Sequence, residues 1–313
     1  MKAVAIDHFK ELGSLREMPD PVLDPDAVII RVTRAGINPI DWKVRDGMAG
    51  ERSFPFVLGQ DVAGIVESVG SRISRVKPGD RVFGCAREHG SYAQQTMIHE
   101  GRHDSPFTIV PDGVTDAQAA ALPTPGLTAL GAIELLGVTN ATTLLIVGAA
   151  GSVGATAVQI AHHRGARVTG VVKPGQANAV RQMGADETTE SIEALLGAIG
   201  EGAAKPFDAV LDLVSDGEAL KKHASLVKQG GRLVTTIHVA DEKWFAQHGI
   251  DAVNIDMGAT PQSSPEGLNQ LARMVANRTL TVAVATEKPL EEAPQVLDDV
   301  KTGKLQGKVV LVV

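Results

Sequence analysis

The spacing of apolar residues divides the chain into two regions. Residues 1–115 contain short apolar runs without helical spacing, separated by Pro-Asp, Pro-Gly-Asp and Asp-Gly turn signals. This pattern predicts a compact, mostly-β domain. The runs predicted as strands are Ala3–Ile6, Ala27–Val32, Val62–Val69, Arg81–Gly84 and Ser91–Ile98.

Beyond residue 115, apolar runs alternate with segments of helical spacing. Asp116 is predicted to cap a helix over Ala117–Leu122, and a longer helix is expected from Gly126 to Leu136. This alternation predicts a parallel sheet with right-handed crossovers, and the β-branched tail Lys308–Val313 is expected to return to the first domain as a strand. The other elements predicted are the strands Phe207–Val214, Arg232–Ile237 and Leu280–Ala285 and the helices Asp216–Val227 and Leu268–Asn277.

The stretch over residues 142–173 carries the strongest pattern. The run Thr142–Val147 predicts a buried strand, three glycines follow, and residues at helical spacing lead to a second apolar run at Val168–Val172. Strand, glycine turn, helix and strand within about 30 residues are typical of a dinucleotide-binding βαβ unit. The motif is A-x-G-x-x-G from Ala149 to Gly154, with alanine at the usual first glycine. The helix predicted to begin near Ser152 would bind a pyrophosphate at its positive end.

Two other interpretations of this stretch stay open. Residues 143–161 are almost wholly apolar, as in a membrane span, although the three glycines and several alanines disfavour one. A doubly wound domain can also use such a turn to pack a helix on a sheet without binding a nucleotide.

Composition restricts the class of protein further. The 313 residues suffice for two domains, and a net charge of −7 with 3% aromatic residues and no basic run argues against a nucleic-acid partner. A single cysteine, Cys85, excludes an intrachain disulfide and a thiolate metal cluster. Asp7 introduces a charge too early for a secretory leader, so we expect a cytoplasmic protein without a membrane partner.

Six collinear segments carry a resemblance to a known family. They resemble the zinc-free quinone oxidoreductase (zeta-crystallin-like) branch of the medium-chain dehydrogenase/reductases. The resemblance implies an α/β fold with a GroES-like mostly-β catalytic domain (1–116 with 264–313) and a Rossmann doubly wound parallel sheet (117–263), in a homodimer. The segments are GINPIDWKVRDG (36–47), FPFVLGQDVAGIVESVGSRISRVKPGDRVFG (54–84), GSYAQ (90–94), GLTAL (126–130), GAAGSVGATAVQIA (148–161) and KLQGKVVLVV (304–313).

The resemblance also indicates chemistry without a metal. The cysteine and histidine that hold catalytic zinc in related alcohol dehydrogenases align here with Asn38 and Gln60, and amides are poor zinc ligands. Without a Lewis acid to make an alkoxide, an electrophilic acceptor such as a quinone or an activated enone is favoured. The sequence H-E-x-x-H at His99–His103 suggests a metalloprotease site, but Gly101 and the predicted strand before it favour a loop.

The position expected to contact the ribose predicts which nucleotide binds. An acid about 20 residues beyond the glycines normally binds the ribose 2′-hydroxyl of NAD. Here Val172 and Lys173 occupy that place, so a cation is available to pair with a 2′-phosphate. We therefore expect NADPH rather than NADH, with a merely solvated Lys173 as the alternative.

Further site residues follow from the resemblance. Asn38 is expected to hydrogen-bond the substrate or cofactor and Asp41 to orient its loop, unless the two only stabilise a local turn. A tyrosine found in several relatives is replaced by Met48, which leaves the proton donor open and raises a noncatalytic NADPH-binding protein as an alternative, beside an enoyl or alkenal reductase. The expected cofactor contacts are Thr128, Ala150, Gly151, Ser152, Val153, Gly154, Lys173, Leu213, Val214, Ile237 and His238.

Overall fold

The computed structural model describes residues 1–313, which form two compact units. The first contains Met1–Leu127, Ser263–Arg278 and Val282–Val313, and the second contains Thr128–Gln262 with Thr279–Thr281. The sequence-based division into 1–116 with 264–313 and 117–263 stays a prediction, because compactness does not establish which segments fold independently.

Sixteen strands and ten α-helices are numbered in chain order. The strands are β1 Lys2–Ile6, β2 Ser14–Glu17, β3 Ala27–Gly36, β4 Phe56–Val57, β5 Asp61–Val69, β6 Arg81–Cys85, β7 Gln95–His99, β8 Phe107–Ile109, β9 Thr143–Val147, β10 Arg167–Val171, β11 Glu187–Thr189, β12 Phe207–Asp212, β13 Val227–Thr235, β14 Asp251–Asn254, β15 Val284–Pro289 and β16 Lys308–Val312. The helices are α1 Pro39–Arg45, α2 Asp116–Ala121, α3 Pro123–Leu135, α4 Ser152–His163, α5 Ala177–Gln182, α6 Ile192–Gly200, α7 Gly217–Lys222, α8 Glu242–Gln247, α9 Pro265–Ala276 and α10 Ala293–Lys301.

The first unit contains two sheets. A small antiparallel sheet has the order β2-β1-β4, and a larger sheet has the order β15-β16-β3-β5-β6-β8 with β7 also paired to β3. The C-terminal strand β16 pairs antiparallel with β3, placing Val310 opposite Gly36. This confirms the prediction that the apolar tail returns to the first domain. The core is formed mainly by inward-facing valine, leucine and isoleucine side chains of these strands, with Tyr92 and Phe107 buried among them.

The second unit is built on one parallel sheet with the order β11-β10-β9-β12-β13-β14. Counted along the chain, this is the 3-2-1-4-5-6 order of a Rossmann sheet, with β9 as its first strand. Every strand therefore ends at the same edge, and the glycine turn after β9 lies at that edge. The predicted α/β fold class is confirmed.

Several predicted boundaries were wrong for identifiable reasons. Thr115, and not Asp116, caps α2, because its hydroxyl accepts the Gln118 N–H at 3.2 Å while the Gln118 side chain accepts the Thr115 N–H at 3.1 Å. The strand predicted at Leu280–Ala285 begins only at Val284 and continues to Pro289, since the residues of its second half, Thr286–Pro289, have the composition of a loop. Helix α1 was not predicted.

The membrane-span alternative for residues 143–161 does not match the elements formed there, a five-residue strand and the first part of α4. No helix of the protein combines the length and apolar character needed to cross a bilayer.

A glycine in β3 sets how closely α2 approaches the sheet. A Cβ added to Gly36 would lie 2.1 Å from the carbonyl oxygen of Ala120, so backbone would have to move. We expect Gly36→Ala to lower the free energy of unfolding by about 1–3 kcal/mol, measured by urea denaturation. As the matched control, Gly197→Ala adds a Cβ in open space within α6 and should be neutral or raise stability by up to about 1 kcal/mol. Equal losses in both variants would contradict this.

Candidate functional site

The glycine turn after β9 is shaped by close contacts of its backbone. Gly148 has φ +86°, and a Cβ there would lie 2.9 Å from the Val214 side chain. A Cβ on Gly154 would lie only 2.3 Å from the carbonyl oxygen of Gly148. These contacts explain why the turn needs glycine both at Gly148, just before the motif, and at Gly154, its last residue. Alanine replaces the usual first glycine at Ala149, which is fully buried.

The N-terminus of α4 has no side-chain cap. The N-cap residue is Gly151, which has no side chain to accept the first N–H groups of the helix. The N–H groups of Ser152 and Val153 lie in the first turn, where an α-helix leaves its donors unpaired and its dipole positive. The turn therefore presents donors and positive potential to an anion. Nucleotide binding by Ala150, Gly151, Ser152, Val153 and Gly154 stays a prediction.

A buried aspartate fixes the loop after β12. Asp212 is wholly buried and accepts the N–H groups of Val214 and Ser215 at 3.1 and 2.9 Å. His223 Nδ1 lies 3.0 Å from its other oxygen. Burial opposes ionisation, but the hydrogen bonds from His223 and the backbone lower the pKa of Asp212. The aspartate thus holds Leu213 and Val214 at the carboxyl edge of the sheet, where Val214 contacts the glycine turn and is 63% exposed.

This grouping of aspartate, histidine and serine is not a nucleophilic triad. Ser215 Oγ lies 3.4 Å from the same His223 nitrogen that faces Asp212. A triad needs the hydroxyl and the carboxylate on opposite ring nitrogens, so the arrangement stabilises a loop.

The remaining predicted cofactor residues are more widely spread. Lys173 follows β10 and is exposed, with its N–H donated to Gln176 Oε1 at 3.1 Å. Ile237 and His238 lie beyond the end of β13 at Thr235, and not within the strand as predicted. His238 is exposed and adopts a left-handed φ of +57°, which is uncommon for a non-glycine residue. Thr128 is buried within α3. Their roles stay predictions.

In the first unit, a buried network of charged and polar groups surrounds Asp61. One Asp61 oxygen accepts Asn38 Nδ2 at 2.7 Å, and the other accepts the Thr124 hydroxyl at 2.6 Å. Lys308 Nζ lies 3.7 Å from Asp61 and donates to Asn38 Oδ1 at 2.6 Å and to the Ile37 carbonyl oxygen at 3.0 Å. Asp61 and Lys308 are 0% and 6% exposed. Burial lowers the pKa of Lys308, while the neighbouring carboxylates oppose that shift.

Asp41 extends this network toward Tyr92. One carboxyl oxygen of Asp41 accepts the Asn38 N–H at 2.7 Å and the Tyr92 hydroxyl at 2.9 Å, while the other is buried without a hydrogen-bond partner. Burial, with a smaller contribution from the Asp61 charge, raises the pKa of Asp41 to about 7. The local turn bond between Asn38 and Asp41 is thus present, but the Asn38 side chain bonds to distant parts of the chain.

The residues at the two aligned zinc positions do not fit a catalytic zinc. Asn38 uses its amide oxygen to accept from the Lys308 ammonium, which places a cation where a metal would have to bind. Gln60 offers an amide oxygen, a hard and weak donor for zinc. Cys85, the only thiol, is buried with its Sγ 3.9 Å from Asp61, and burial raises its pKa.

Sequence reasoning missed four members of this network: Asp61, Tyr92, Thr124 and Lys308. Lys308 offered a signal, because a lone lysine opens a strand that is otherwise apolar, and a buried cation needs a buried anion. Asp61 similarly opens an apolar strand, β5. No local pattern indicated that these strands would meet through β3.

Comparison with known proteins agrees with this architecture. Residues 24–114 match the model for the alcohol dehydrogenase GroES-like domain, and residues 148–311 match the zinc-binding dehydrogenase model. A 2-methylene-furan-3-one reductase of Solanum lycopersicum is 33% identical over 68% of this chain and 55% of its own length. A quinone oxidoreductase of Mus musculus is 28% identical over 97% of both chains. A mycobacterial protein solved with NADPH has 26% identity and a TM-score of 0.86, covering 100% of both chains.

Fold, glycine turn and matched models together define a medium-chain dehydrogenase/reductase. The chain belongs to this superfamily, in the branch of the quinone oxidoreductases, and it is an oxidoreductase.

The raised pKa of Asp41 predicts how the free energy of unfolding depends on pH. Since the folded pKa is about 7 against an ordinary value of 3.8, the stability that Asp41 contributes is complete below pH 3.8 and is lost as pH rises through 7. Asn at this position cannot titrate. We expect Asp41→Asn to match wild type near pH 4 and to be more stable by about 2–4 kcal/mol at pH 8, in urea denaturation. Exposed Asp112→Asn is the control, and a pH-independent difference for Asp41→Asn would refute the assignment.

The Asp61–Lys308 pair gives a second prediction. Lys308→Met leaves a buried carboxylate without its cation, and we expect a loss of about 3–5 kcal/mol in unfolding free energy. Adding Asp61→Asn to that variant removes the uncompensated charge and should restore more than a third of the loss. The double-mutant cycle is measured by chemical denaturation, and strictly additive effects would show that the two residues do not interact.

Proposed function

We propose that the protein is an NADPH-dependent, zinc-independent oxidoreductase that transfers hydride to a quinone or an α,β-unsaturated carbonyl. The observation that carries the proposal is the uncapped N-terminus of α4, at the carboxyl edge of a sheet with Rossmann strand order. Ligands of such sheets bind at that edge, where the order of the strands reverses around β9.

The choice of NADPH is supported by charge and by similarity. Parallel pairing places Lys173, after β10, at the same edge as the glycine turn after β9. A lysine there pairs with a ribose 2′-phosphate, whereas the acid typical of NAD enzymes would repel it. The NADPH-bound mycobacterial protein covers the whole of this chain.

The choice of a quinone or enone as acceptor is supported by the poor metal ligands that the first unit offers at the aligned zinc positions. Amides stand at both aligned zinc positions, and the Lys308 ammonium bonds to one of them, so these positions do not supply a Lewis acid to activate an alcohol. A quinone or an enone is electrophilic without such activation. The mouse relative is named a quinone oxidoreductase.

When bound, NADPH supplies the hydride, which carries two electrons to the acceptor. The chain holds the diphosphate on the Ser152 and Val153 N–H groups, and the acceptor oxygen then takes a proton from water. Water is the proposed donor because Met48, which is 67% exposed, cannot donate a proton where several relatives have tyrosine. Asn38 and Asp41 are proposed to shape the substrate site at the start of α1. Asp41 is the positioning residue there, since it accepts the Asn38 N–H. A homodimer stays a prediction.

A second candidate, reduction of an enone or alkenal in place of a quinone, is favoured by one observation. The tomato reductase, whose named substrate is a conjugated methylene ketone, is 33% identical over 68% of this chain. Both candidates share the hydride donor and differ only in the acceptor.

Cofactor preference tests the role of Lys173. We expect Lys173→Ala to reduce the ratio of kcat/KM for NADPH to that for NADH by about tenfold, because the lost ion pair is made only with the 2′-phosphate. Steady-state rates with one quinone acceptor measure the ratio. Lys205→Ala is the matched control, an exposed lysine that precedes β12 at the opposite edge of the sheet. An unchanged ratio in Lys173→Ala would remove this lysine from nucleotide recognition.

An acceptor screen tests the reaction itself. NADPH oxidation, followed by absorbance, should proceed with 1,4-benzoquinones or with alkenals at rates that excess EDTA does not change, and primary alcohols should not reduce NADP⁺. Faster turnover of alkenals than of quinones would select the second candidate. NADPH binding without turnover of either class would overturn the proposed function in favour of a noncatalytic NADPH-binding protein.

A further inference from the structure

The H-E-x-x-H sequence does not form a metal site from its own residues. His99 is the last residue of β7, and Gly101 follows in a left-handed turn with φ +82°. Glu100 forms an ion pair with Arg75 instead of facing the histidines. The two histidines therefore do not lie on one helix face, as that protease motif requires.

His99 instead meets two residues from the segment between β6 and β7. Its Nδ1 lies 3.3 Å from Glu88 Oε2, and the neighbouring His89 places Nε2 at 3.9 Å from the same oxygen. One ligand atom from each of Glu88, His89 and His99 lies within 4.8 Å of the others. Antiparallel pairing of β7 with β3 fixes the position of His99 in this group.

We propose that Glu88, His89 and His99 bind a divalent transition-metal ion, with Zn²⁺ as the best match. Two imidazoles and one carboxylate are the donor types that zinc prefers, and a water molecule would complete a tetrahedron. Zn–N and Zn–O bonds of about 2.0–2.1 Å imply ligand atoms about 3.3 Å apart. The two contacts to Glu88, at 3.3 and 3.9 Å, are close to that separation before any ion is bound.

The surroundings of the histidines support ligation. Asp24 Oδ2 lies 2.9 Å from His99 Nε2. In the tautomer that donates from Nε2 to this carboxylate, Nδ1 presents its lone pair to the group. A carboxylate on the far nitrogen is the usual support of a metal-bound histidine. His89 Nε2 is buried without a hydrogen-bond partner.

One cation competes for the carboxylate. Arg102 Nη1 lies 3.5 Å from Glu88 Oε2, but its guanidinium also binds Asp104 through Nε and Nη2 at 3.1 and 3.2 Å. A divalent ion would displace the 3.5 Å contact between Arg102 and Glu88 and would leave the two hydrogen bonds from Arg102 to Asp104 in place. The bound ion would join the segment after β6 to β7 and so stabilise the first unit. The ion would not take part in hydride transfer, because none of its three ligands is among the residues proposed for that reaction.

The test uses the whole protein freed of metal with EDTA and titrated with ZnCl₂ against a chromophoric chelator. We expect one Zn²⁺ per chain and a rise in Tm with added zinc. His89→Ala should weaken binding at least tenfold, and Asp24→Asn, which removes only the support of His99, by about 10–100-fold. The matched control is His103→Ala, the other histidine of the H-E-x-x-H sequence, which should bind zinc as wild type does.

The visible absorption of bound Co²⁺ reports the coordination geometry, and it distinguishes loss of a ligand from a change in fold. Bound Co²⁺ should give the visible absorption of a four-coordinate site in wild type and His103→Ala, and this band should be absent in His89→Ala with an unchanged circular dichroism spectrum. Substoichiometric binding in wild type, or equal affinities for His89→Ala and His103→Ala, would overturn the proposal. Neither result depends on whether the protein reduces quinones.

Discussion

The nucleotide-binding unit depends on the close packing of backbone against backbone where α4 begins. Only hydrogen atoms fit between Gly154 and the carbonyl oxygen of Gly148, since a Cβ would lie 2.3 Å from that oxygen. This contact brings the first turn of α4 to the carboxyl edge of the sheet. There, Gly151 leaves its first N–H groups uncapped, and the loop fixed by Asp212 contacts the turn. A bulkier residue at Gly154 would displace the donors from the edge where the nucleotide binds.

The first unit contains a different constraint, a buried carboxylate that must be compensated. Asp61 is satisfied by an amide, a hydroxyl and an ammonium group, which are contributed by residues far apart in the sequence. Removing one partner would destabilise the protein, because the buried charge would no longer be compensated. The intact network connects β5, β16 and the start of α1. The same ammonium donates to the side-chain oxygen of Asn38, the residue aligned with a zinc ligand of related enzymes. Lys308 therefore both compensates the buried carboxylate and occupies the amide oxygen of Asn38.

The sequence predicted elements with strong periodicity and failed where the determining contacts are distant. The βαβ unit over residues 142–173 was recognisable because buried strands and small residues leave a local pattern. The polar edge strand β15 was misplaced, since the residues of its second half have the composition of a loop. Asn38 and Asp41 were selected through the family resemblance. Their partners Asp61, Tyr92 and Lys308 depend on strand pairing, which single-sequence patterns do not contain. For the same reason, the pairing of His99 with Glu88 could not be predicted.

The central claim is that the first turn of α4 binds the diphosphate of NADPH through backbone N–H groups. A crystal structure of the protein grown with NADPH tests it most directly. We expect diphosphate oxygens within about 3 Å of the Ser152 and Val153 nitrogens, at ordinary N–H···O distances. A structure with NADPH bound elsewhere, or with the turn beside Gly151 empty at saturating NADPH, would contradict it.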